Sequence, residues 1–142
     1  MALTLPGFVD LQVNGHLSIS FSDATLTEDD FCRVSRELLA AGTVAFLPTV
    51  ITSSPALYER NLPLIVRCMR REEFRGRLLG LHIEGPFISP VPGAVGAHPP
   101  EHVKAPDPEL LTKILNWADG EVRMLTVAAC QPGATDLIKV AR

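Results

Sequence analysis

The feature that most constrains the fold is the segment 78–87, an apolar run that ends in a carboxylate and a Gly-Pro pair. It reads Leu-Leu-Gly-Leu-His-Ile-Glu-Gly-Pro-Phe. Because side chains alternate along a strand, His82 and Glu84 would share one face while Leu81 and Ile83 share the other. An ionisable pair on an apolar strand is unfavourable unless a partner satisfies it. Glu84 would end its strand at the edge where α/β folds build their sites, so it is a candidate metal ligand.

Strand-like and helix-like segments alternate along the rest of the chain. Helix starts are indicated by Thr27, by Ser53 or Ser54, and by Asp107, each of which precedes a stripe of apolar residues at helical spacing. Two prolines limit this pattern: Pro48 is expected to close the second strand, and Pro63 to kink or break the second helix. Residues 17–22 are expected to be a loop. The predicted strands are 8–14, 43–47, 78–84 and 121–129, and a helix follows each.

This alternation favours parallel βαβ units with right-handed crossovers. Four βα units are half of an eightfold barrel, which usually needs about 250 residues. The prediction is therefore an α/β fold: a partial TIM (β/α)8 barrel of about four βα units with parallel strands, forming one domain over residues 1–142. No phosphate-binding glycine motif follows any strand, so a nucleotide-binding sheet is possible but unsupported.

Composition excludes several classes of function. The 142 residues are 46% hydrophobic and 20% charged, with a formal net charge of -3, so a nucleic-acid partner is not expected. No apolar run approaches the roughly 20 residues that span a bilayer, so a membrane partner is not expected either. The three cysteines fit neither a disulfide framework nor a paired-thiolate zinc motif, which favours a reducing, cytoplasmic setting.

A long segment rich in proline and glycine, residues 85–108, follows the Glu84 strand. Loops of this length without regular structure tend to be functional or disordered. The segment contains Gly-Ala-His at positions 96–98. The alternative to a functional role is an ordinary loop histidine, and that alternative is preferred for His102.

Four motifs occur in the order found in N-acetylglucosamine-6-phosphate deacetylases, and the chain resembles that family from about Pro6 onward. The motifs are Pro-Gly-Phe-Val-Asp-Leu-Gln-Val-Asn-Gly at 6–15, Leu-Pro-Thr-Val-Ile-Thr at 47–52, Leu-Gly-Leu-His-Ile-Glu-Gly-Pro-Phe-Ile-Ser-Pro at 79–90, and Gly-Ala-His at 96–98. The resemblance implies a metal-dependent amidohydrolase with a TIM-barrel core. It also implies that the chain covers only the N-terminal part of the barrel, without the flanking β-sandwich and the later strands.

The resemblance implies roles for particular residues. Glu84 matches the family's principal ligand to a divalent metal ion, Zn²⁺ in this interpretation, with one ion per site. The alternative for Glu84 is a buried carboxylate paired with an arginine or a backbone amide. Ala97 and His98 would contact the N-acetyl sugar, and His98 could stabilise the developing oxyanion of its acetamide.

Three further residues are interpreted as support for this site. Much of the superfamily carries a metal-binding His-x-His where this chain has Gln12 and Asn14. Neutral amides are weak ligands for Zn²⁺, so plain hydrogen bonding at the barrel mouth is preferred for both residues. His82 is interpreted as a satisfied core histidine or as a partner behind the metal ligand.

The predicted activity is that of a hydrolase of amino-sugar catabolism. It would remove the acetyl group from N-acetylglucosamine 6-phosphate, giving glucosamine 6-phosphate and acetate, and the full-length parent would be a homo-oligomer. Two histidine ligands and the general-base aspartate are expected beyond residue 142, so this chain is expected to be an inactive fragment. The alternative is a noncatalytic half-barrel that binds a sugar phosphate or assembles with a partner. A dihydroorotase-like enzyme would have histidine at positions 12 and 14.

Overall fold

A parallel sheet and four helices make up the fold in a computed structural model that describes residues 6–142; residues 1–5 of the predicted domain lie outside the described part. The strands are β1 (Phe8–Val13), β2 (Gly15–His16), β3 (Ile19–Ser20), β4 (Thr43–Ile51), β5 (Leu81–Glu84) and β6 (Val122–Thr126). The helices are α1 (Glu28–Ala40), α2 (Pro55–Met69), α3 (Pro108–Trp117) and α4 (Ala134–Val140), with short 3₁₀ turns at Glu72–Phe74 and Pro100–His102.

The sheet has the strand order of consecutive βα units. Its order is β1-β4-β5-β6, and every neighbouring pair is parallel. Helices α1, α2 and α3 connect these strands in turn, and α4 follows β6. Parallel strands need such crossovers. The predicted α/β architecture, a partial barrel of four βα units, is confirmed.

Side-chain caps start three of the four helices. The Thr27 and Ser54 hydroxyls accept hydrogen bonds from backbone N–H groups three residues on, at 3.1 and 3.2 Å. The Asp107 carboxylate accepts from two backbone N–H groups, both at 3.0 Å. Each cap satisfies an N–H that the helix itself leaves without a partner and is typically worth about 1 kcal/mol. The predicted helix starts at these residues are confirmed.

The structure overturns the strand end predicted at Pro48 and the helix break predicted at Pro63. Strand β4 runs through Pro48 to Ile51 because Pro48 lies opposite Val13, where the pairing of β1 with β4 is irregular and a missing N–H disturbs little. Helix α2 continues through Pro63. Eight of its side chains are buried, and this packing outweighs the loss of one helical hydrogen bond.

Other boundaries also differ from the prediction. Strand β5 begins at Leu81 instead of Leu78, because Gly80 has a φ of +133° and interrupts the extended run; Leu78 keeps only an isolated bridge to Phe46. Strand β6 ends at Thr126, short of the predicted residue 129. The predicted loop 17–22 contains β3, which pairs with β2 in an antiparallel hairpin.

The two faces of the sheet have different chemistry. The face toward the helices is apolar, and its side chains pack with those of α1 and α2 in one continuous core that includes Phe46, Val50, Leu81, Ile83, Phe31, Leu62 and Ile65. The opposite face carries the buried polar side chains of Thr49 and His82. No helix within residues 6–142 has the length and apolarity needed to cross a bilayer.

His82 connects the strands on this polar face. Its side chain is 2% exposed, with Nε2 2.8 Å from the Thr126 hydroxyl on β6 and Nδ1 3.3 Å from the Thr49 hydroxyl on β4. The Thr49 hydroxyl also accepts a hydrogen bond from the Val13 backbone N–H of β1 at 3.1 Å. One buried network therefore joins all four strands of the sheet.

This network predicts a pH dependence of stability. Burial lowers the pKa of His82 below 6.5, against the opposing effect of the Glu84 carboxylate. His82 therefore binds a proton more tightly in the unfolded chain than in the folded chain. The stability that His82 contributes is lost as the pH falls below 6.5. We expect the free energy of unfolding, measured by urea denaturation in EDTA, to fall between about pH 7.5 and about pH 5.5, above the range in which carboxylates titrate.

The variant His82→Gln separates this effect from general acid sensitivity. It is expected to be less stable at neutral pH, because its amide cannot reproduce both ring contacts, and to show a much smaller dependence on pH in the same interval. An equal slope in both proteins would contradict the assignment to His82.

Candidate active site at the carboxyl edge of the sheet

The residues predicted to bind metal and substrate lie around one cavity. The cavity has a volume of about 380 Å³ and opens at the carboxyl ends of the parallel strands. Its lining consists of Gln12, Asn14, Ile51, Glu84, Ala94, Val95, Gly96, Ala97 and His98. The volume lies within the range of small-molecule sites.

Glu84 lines the cavity next to Asn14 and His98. Its side chain is 17% exposed, and Oε2 accepts a hydrogen bond from Asn14 Nδ2 at 3.3 Å. Oε1 is 3.7 Å from His98 Nε2, which is longer than a hydrogen bond. The structure thus brings together three residues that are distant in the sequence. The alternative predicted for Glu84 was a carboxylate paired with an arginine or a backbone amide. The structure shows the side-chain amide of Asn14 as its hydrogen-bond partner instead.

His98 reaches the cavity from the long loop 85–108. Its Nδ1 atom is buried, and within residues 6–142 it has no hydrogen-bond partner. The loop is closed at its base, where the Lys104 backbone N–H donates to the Pro86 carbonyl at 2.9 Å. His102 belongs to the 3₁₀ turn Pro100–His102 and is not among the residues that line the cavity. The two loop histidines therefore occupy different environments.

The turn after β5 places the Glu84 carboxylate. Gly85 has a φ of +94°, and the Thr52 hydroxyl comes so close that a Cβ atom on Gly85 would overlap it. The same hydroxyl donates to the Glu84 carbonyl at 3.3 Å, and the Gly85 N–H donates to the Thr126 carbonyl at 3.2 Å. Only glycine fits this backbone, so the turn holds the end of β5 against both neighbouring strands.

The side chains around the cavity offer few ligands for a metal ion. Glu84 offers one carboxylate, and within residues 6–142 no group of three or more His, Cys, Asp or Glu side chains is placed to hold an ion. Catalytic zinc sites use three protein ligands. The described residues therefore do not by themselves form a catalytic metal centre.

Sequence reasoning missed three apolar residues of the cavity lining, which are Ile51, Ala94 and Val95. Ile51 could have been found if β4 had been continued through Pro48, since the strand would then end at the same edge as Glu84. Ala94 and Val95 lie in a loop without periodicity, and no sequence signal indicates their position.

Parallel βα units with polar side chains gathered at their carboxyl edge define a partial barrel of the kind that enzymes use. No family model matches the chain. Curated relatives are N-acetylglucosamine-6-phosphate deacetylases: that of Caenorhabditis elegans is 38% identical over 94% of this chain and 33% of the relative, and that of Homo sapiens is 38% identical over 87% and 30%.

Solved structures that match the chain are also N-acetylglucosamine-6-phosphate deacetylases. A mutant N-acetyl-D-glucosamine-6-phosphate deacetylase from Mycobacterium smegmatis, in complex with N-acetyl-D-glucosamine-6-phosphate, matches with a TM-score of 0.82 and 32% identity, over 95% of this chain and 33% of that one. The deacetylase from Thermotoga maritima matches with a TM-score of 0.72 and 28% identity, over 96% of this chain and 34% of that one. The chain is thus homologous to the N-acetylglucosamine-6-phosphate deacetylases and spans about a third of their length.

Substituting Gly85 tests how the turn holds Glu84. The variant Gly85→Ala is expected to lose about 1–3 kcal/mol of unfolding free energy from the positive φ, and more from the overlap with Thr52. Gly93→Ala is the matched control, because Gly93 has a φ of +87° but open space around its Cα. Urea denaturation should show the larger loss for Gly85→Ala, and adding Thr52→Ala should recover part of the difference. Equal losses in both alanine variants would contradict the proposed overlap.

Substituting Asn14 tests its contact with Glu84. In Asn14→Asp the hydrogen bond is replaced by a second carboxylate beside the first, and we expect a loss of roughly 1 kcal/mol at neutral pH. Divalent cations bind paired carboxylates, so added Mn²⁺ should restore stability in Asn14→Asp. The control Asn14→Ala removes the hydrogen bond without adding charge and should show no such recovery. A thermal melt with and without Mn²⁺ provides the measurement, and recovery in both variants would contradict the contact.

Proposed function

We propose that this chain supplies part of the active site of an N-acetylglucosamine-6-phosphate deacetylase. The reaction would be hydrolysis of the acetamide of N-acetylglucosamine 6-phosphate to glucosamine 6-phosphate and acetate. The observation that carries the proposal is the meeting of Asn14, Glu84 and His98 at one cavity. A homologous structure that contains N-acetyl-D-glucosamine-6-phosphate supports the same class of ligand.

Glu84 is proposed as one ligand of a single divalent ion, Zn²⁺, with Asn14 holding its carboxylate in orientation. Carboxylate ligands of metal ions are commonly fixed by such hydrogen bonds. The remaining ligands and the general-base aspartate would have to come from outside these 142 residues, because the described part offers no further cluster of suitable side chains. The 142-residue polypeptide by itself is therefore proposed to be inactive.

Ala97 and His98 are proposed to bind the N-acetyl group of the sugar. The His98 ring borders the cavity next to Glu84, so it can present an N–H to the acetamide carbonyl, where negative charge develops during hydrolysis. Ile51 and Val95 add apolar surface to the lining, which suits a methyl group. The lining thus offers both polar and apolar contacts to an acetamide.

The compartment and the partners are proposed from the state of the cysteines and from the charge of the chain. All three cysteines are free, which agrees with a reducing cytoplasm. The net charge of -3 disfavours nucleic acid as a partner. A homo-oligomer is proposed for the longer deacetylases to which the chain is related.

The test uses the two loop histidines as a built-in comparison. On titration of the 142-residue protein with N-acetylglucosamine 6-phosphate, we expect the NMR signals of the His98 ring and the Ala97 amide to shift, while those of His102 stay unchanged. Glucosamine 6-phosphate, which lacks the acetyl group, should cause smaller shifts. Shifts confined to His102 would contradict the proposed binding site.

Acetate release is measured on the same samples with Zn²⁺ present, and no turnover above a protein-free blank is expected. Turnover that depends on Zn²⁺ and disappears in Glu84→Gln would show that the chain is active alone. The second candidate function, a noncatalytic sugar-phosphate binder, is favoured by the intact cavity beside an incomplete ligand set. It predicts binding that neither Zn²⁺ nor Glu84→Gln changes.

A further inference from the structure

The segment 21–26, which joins β3 to α1, is anchored at both ends by buried side chains. Phe21 is 0% exposed, and its ring packs against that of Phe31 with the centroids 4.9 Å apart; Leu26 is 2% exposed. Backbone groups beside such anchors cannot all reach water, and a buried carbonyl without a hydrogen-bond donor is unfavourable. The segment therefore depends on donors from the elements packed against it.

Helix α2 supplies these donors. The Asn61 side chain is buried, and its Nδ2 atom donates to the Phe21 carbonyl at 3.0 Å and to the Asp23 carbonyl at 2.8 Å. The guanidinium of Arg60, an exposed residue, donates to Asn61 Oδ1 at 2.6 Å and to the Leu26 carbonyl at 2.9 Å. Both N–H bonds and the oxygen of the Asn61 amide are thus engaged. Two neighbouring residues of α2 hold three carbonyls of one segment.

The same segment is bonded to two residues that line the cavity. The Phe21 N–H donates to the Asn14 carbonyl at 2.9 Å, and the Ile51 N–H donates to the Ser22 hydroxyl oxygen at 2.9 Å. The Asn14 side chain in turn donates to the Glu84 carboxylate. The backbone of Phe21 therefore connects helix α2 to the candidate active site.

We propose that Asn61 is a positioning residue of the candidate active site. It holds the backbone of residues 21–23, and through that backbone it fixes Asn14 and Ile51 at the cavity and the orientation of the Glu84 carboxylate. Asn61 is not among the residues that line the cavity, so it acts through the segment. Its role in ligand binding rests on the proposed function, whereas its hold on the segment does not.

The burial of Asn61 supports such a specific role. The buried polar residues of the described part are Ser35, Thr49, Thr52, Ser53, Asn61 and His82. Ser35 also lies on a helix, but its hydroxyl donates to a carbonyl of the same helix. Asn61 instead bonds to residues 38 and 40 positions away. Because an apolar side chain would be less costly to bury, the satisfied amide specifies where the segment lies.

The first measurement is amide hydrogen exchange of the 142-residue protein and of Asn61→Leu, which keeps the side-chain size and removes both donors. We expect the Phe21 and Ile51 amides to exchange roughly tenfold faster relative to the Ile83 amide on the inner strand β5, as the loss of about one hydrogen bond predicts. A purely structural role would lower global stability and accelerate Ile83 at least as much. An unchanged or lower ratio would overturn the proposal.

A milder pair of variants decides the case in which Asn61→Leu does not fold. Arg60→Met removes the hydrogen bonds to Asn61 Oδ1 and to the Leu26 carbonyl from an exposed position, and it should change the same ratio in the same direction. Arg67→Met is the matched control, because it makes the same substitution about two turns further along α2, where the guanidinium binds Glu28. It should leave the ratio unchanged. No change in Arg60→Met, or an equal change in both arginine variants, would contradict the role of Asn61.

The second measurement is the Kd for N-acetylglucosamine 6-phosphate, from NMR titration of the same proteins. Asn61→Leu should raise this Kd roughly tenfold and Arg60→Met by less, while Arg67→Met should leave it unchanged. If the unaltered chain binds the sugar phosphate and the first two variants bind it equally well, the role of Asn61 at the site is overturned and the proposed function stands. If the unaltered chain does not bind it, the proposed function fails, and the exchange ratio decides whether Asn61 holds the segment.

Discussion

The hydrogen-bond network of His82 is the interaction on which the site depends. A buried imidazole lies between the hydroxyls of Thr49 and Thr126, and Thr49 continues the network to the backbone of β1. The sheet can bury these polar groups because each has a partner, and the cost of leaving one without a partner opposes any shift of register. Two residues further on, the same strand presents Glu84 to the cavity. The register that satisfies His82 is therefore the register that positions the carboxylate.

The remaining geometry of the site follows from short-range contacts at the ends of the strands. Gly85 lets the chain turn against Thr52, and Asn14 at the end of β1 holds the Glu84 carboxylate. The first contact joins β5 to the segment that follows β4, and the second joins it to the residue that follows β1. These contacts hold Glu84 in place relative to the strands of the sheet.

Much of this fold could be predicted from periodicity and capping. Alternation revealed that His82 and Glu84 share a face, and Thr27 and Asp107 marked helix starts, because these signals depend on nearby residues alone. Pro48 misled the prediction, since its cost depends on the partner strand, and that irregularity in pairing appears only in the assembled sheet. The resemblance to known motifs indicated Glu84, Ala97 and His98. No local pattern could show that Asn14 would reach Glu84 across 70 positions of sequence.

The closed base of the loop has a consequence for how a ligand would be captured. The hydrogen bond between the Lys104 N–H and the Pro86 carbonyl joins the two ends of a long loop. His98 therefore belongs to a loop whose ends are held together. Much of the conformational entropy that ordering His98 would consume is then already lost before a ligand arrives. Breaking this hydrogen bond at the base would leave the residues that line the cavity unchanged. It would still be expected to weaken ligand binding, because ordering the loop would then cost more conformational entropy and the association rate would fall.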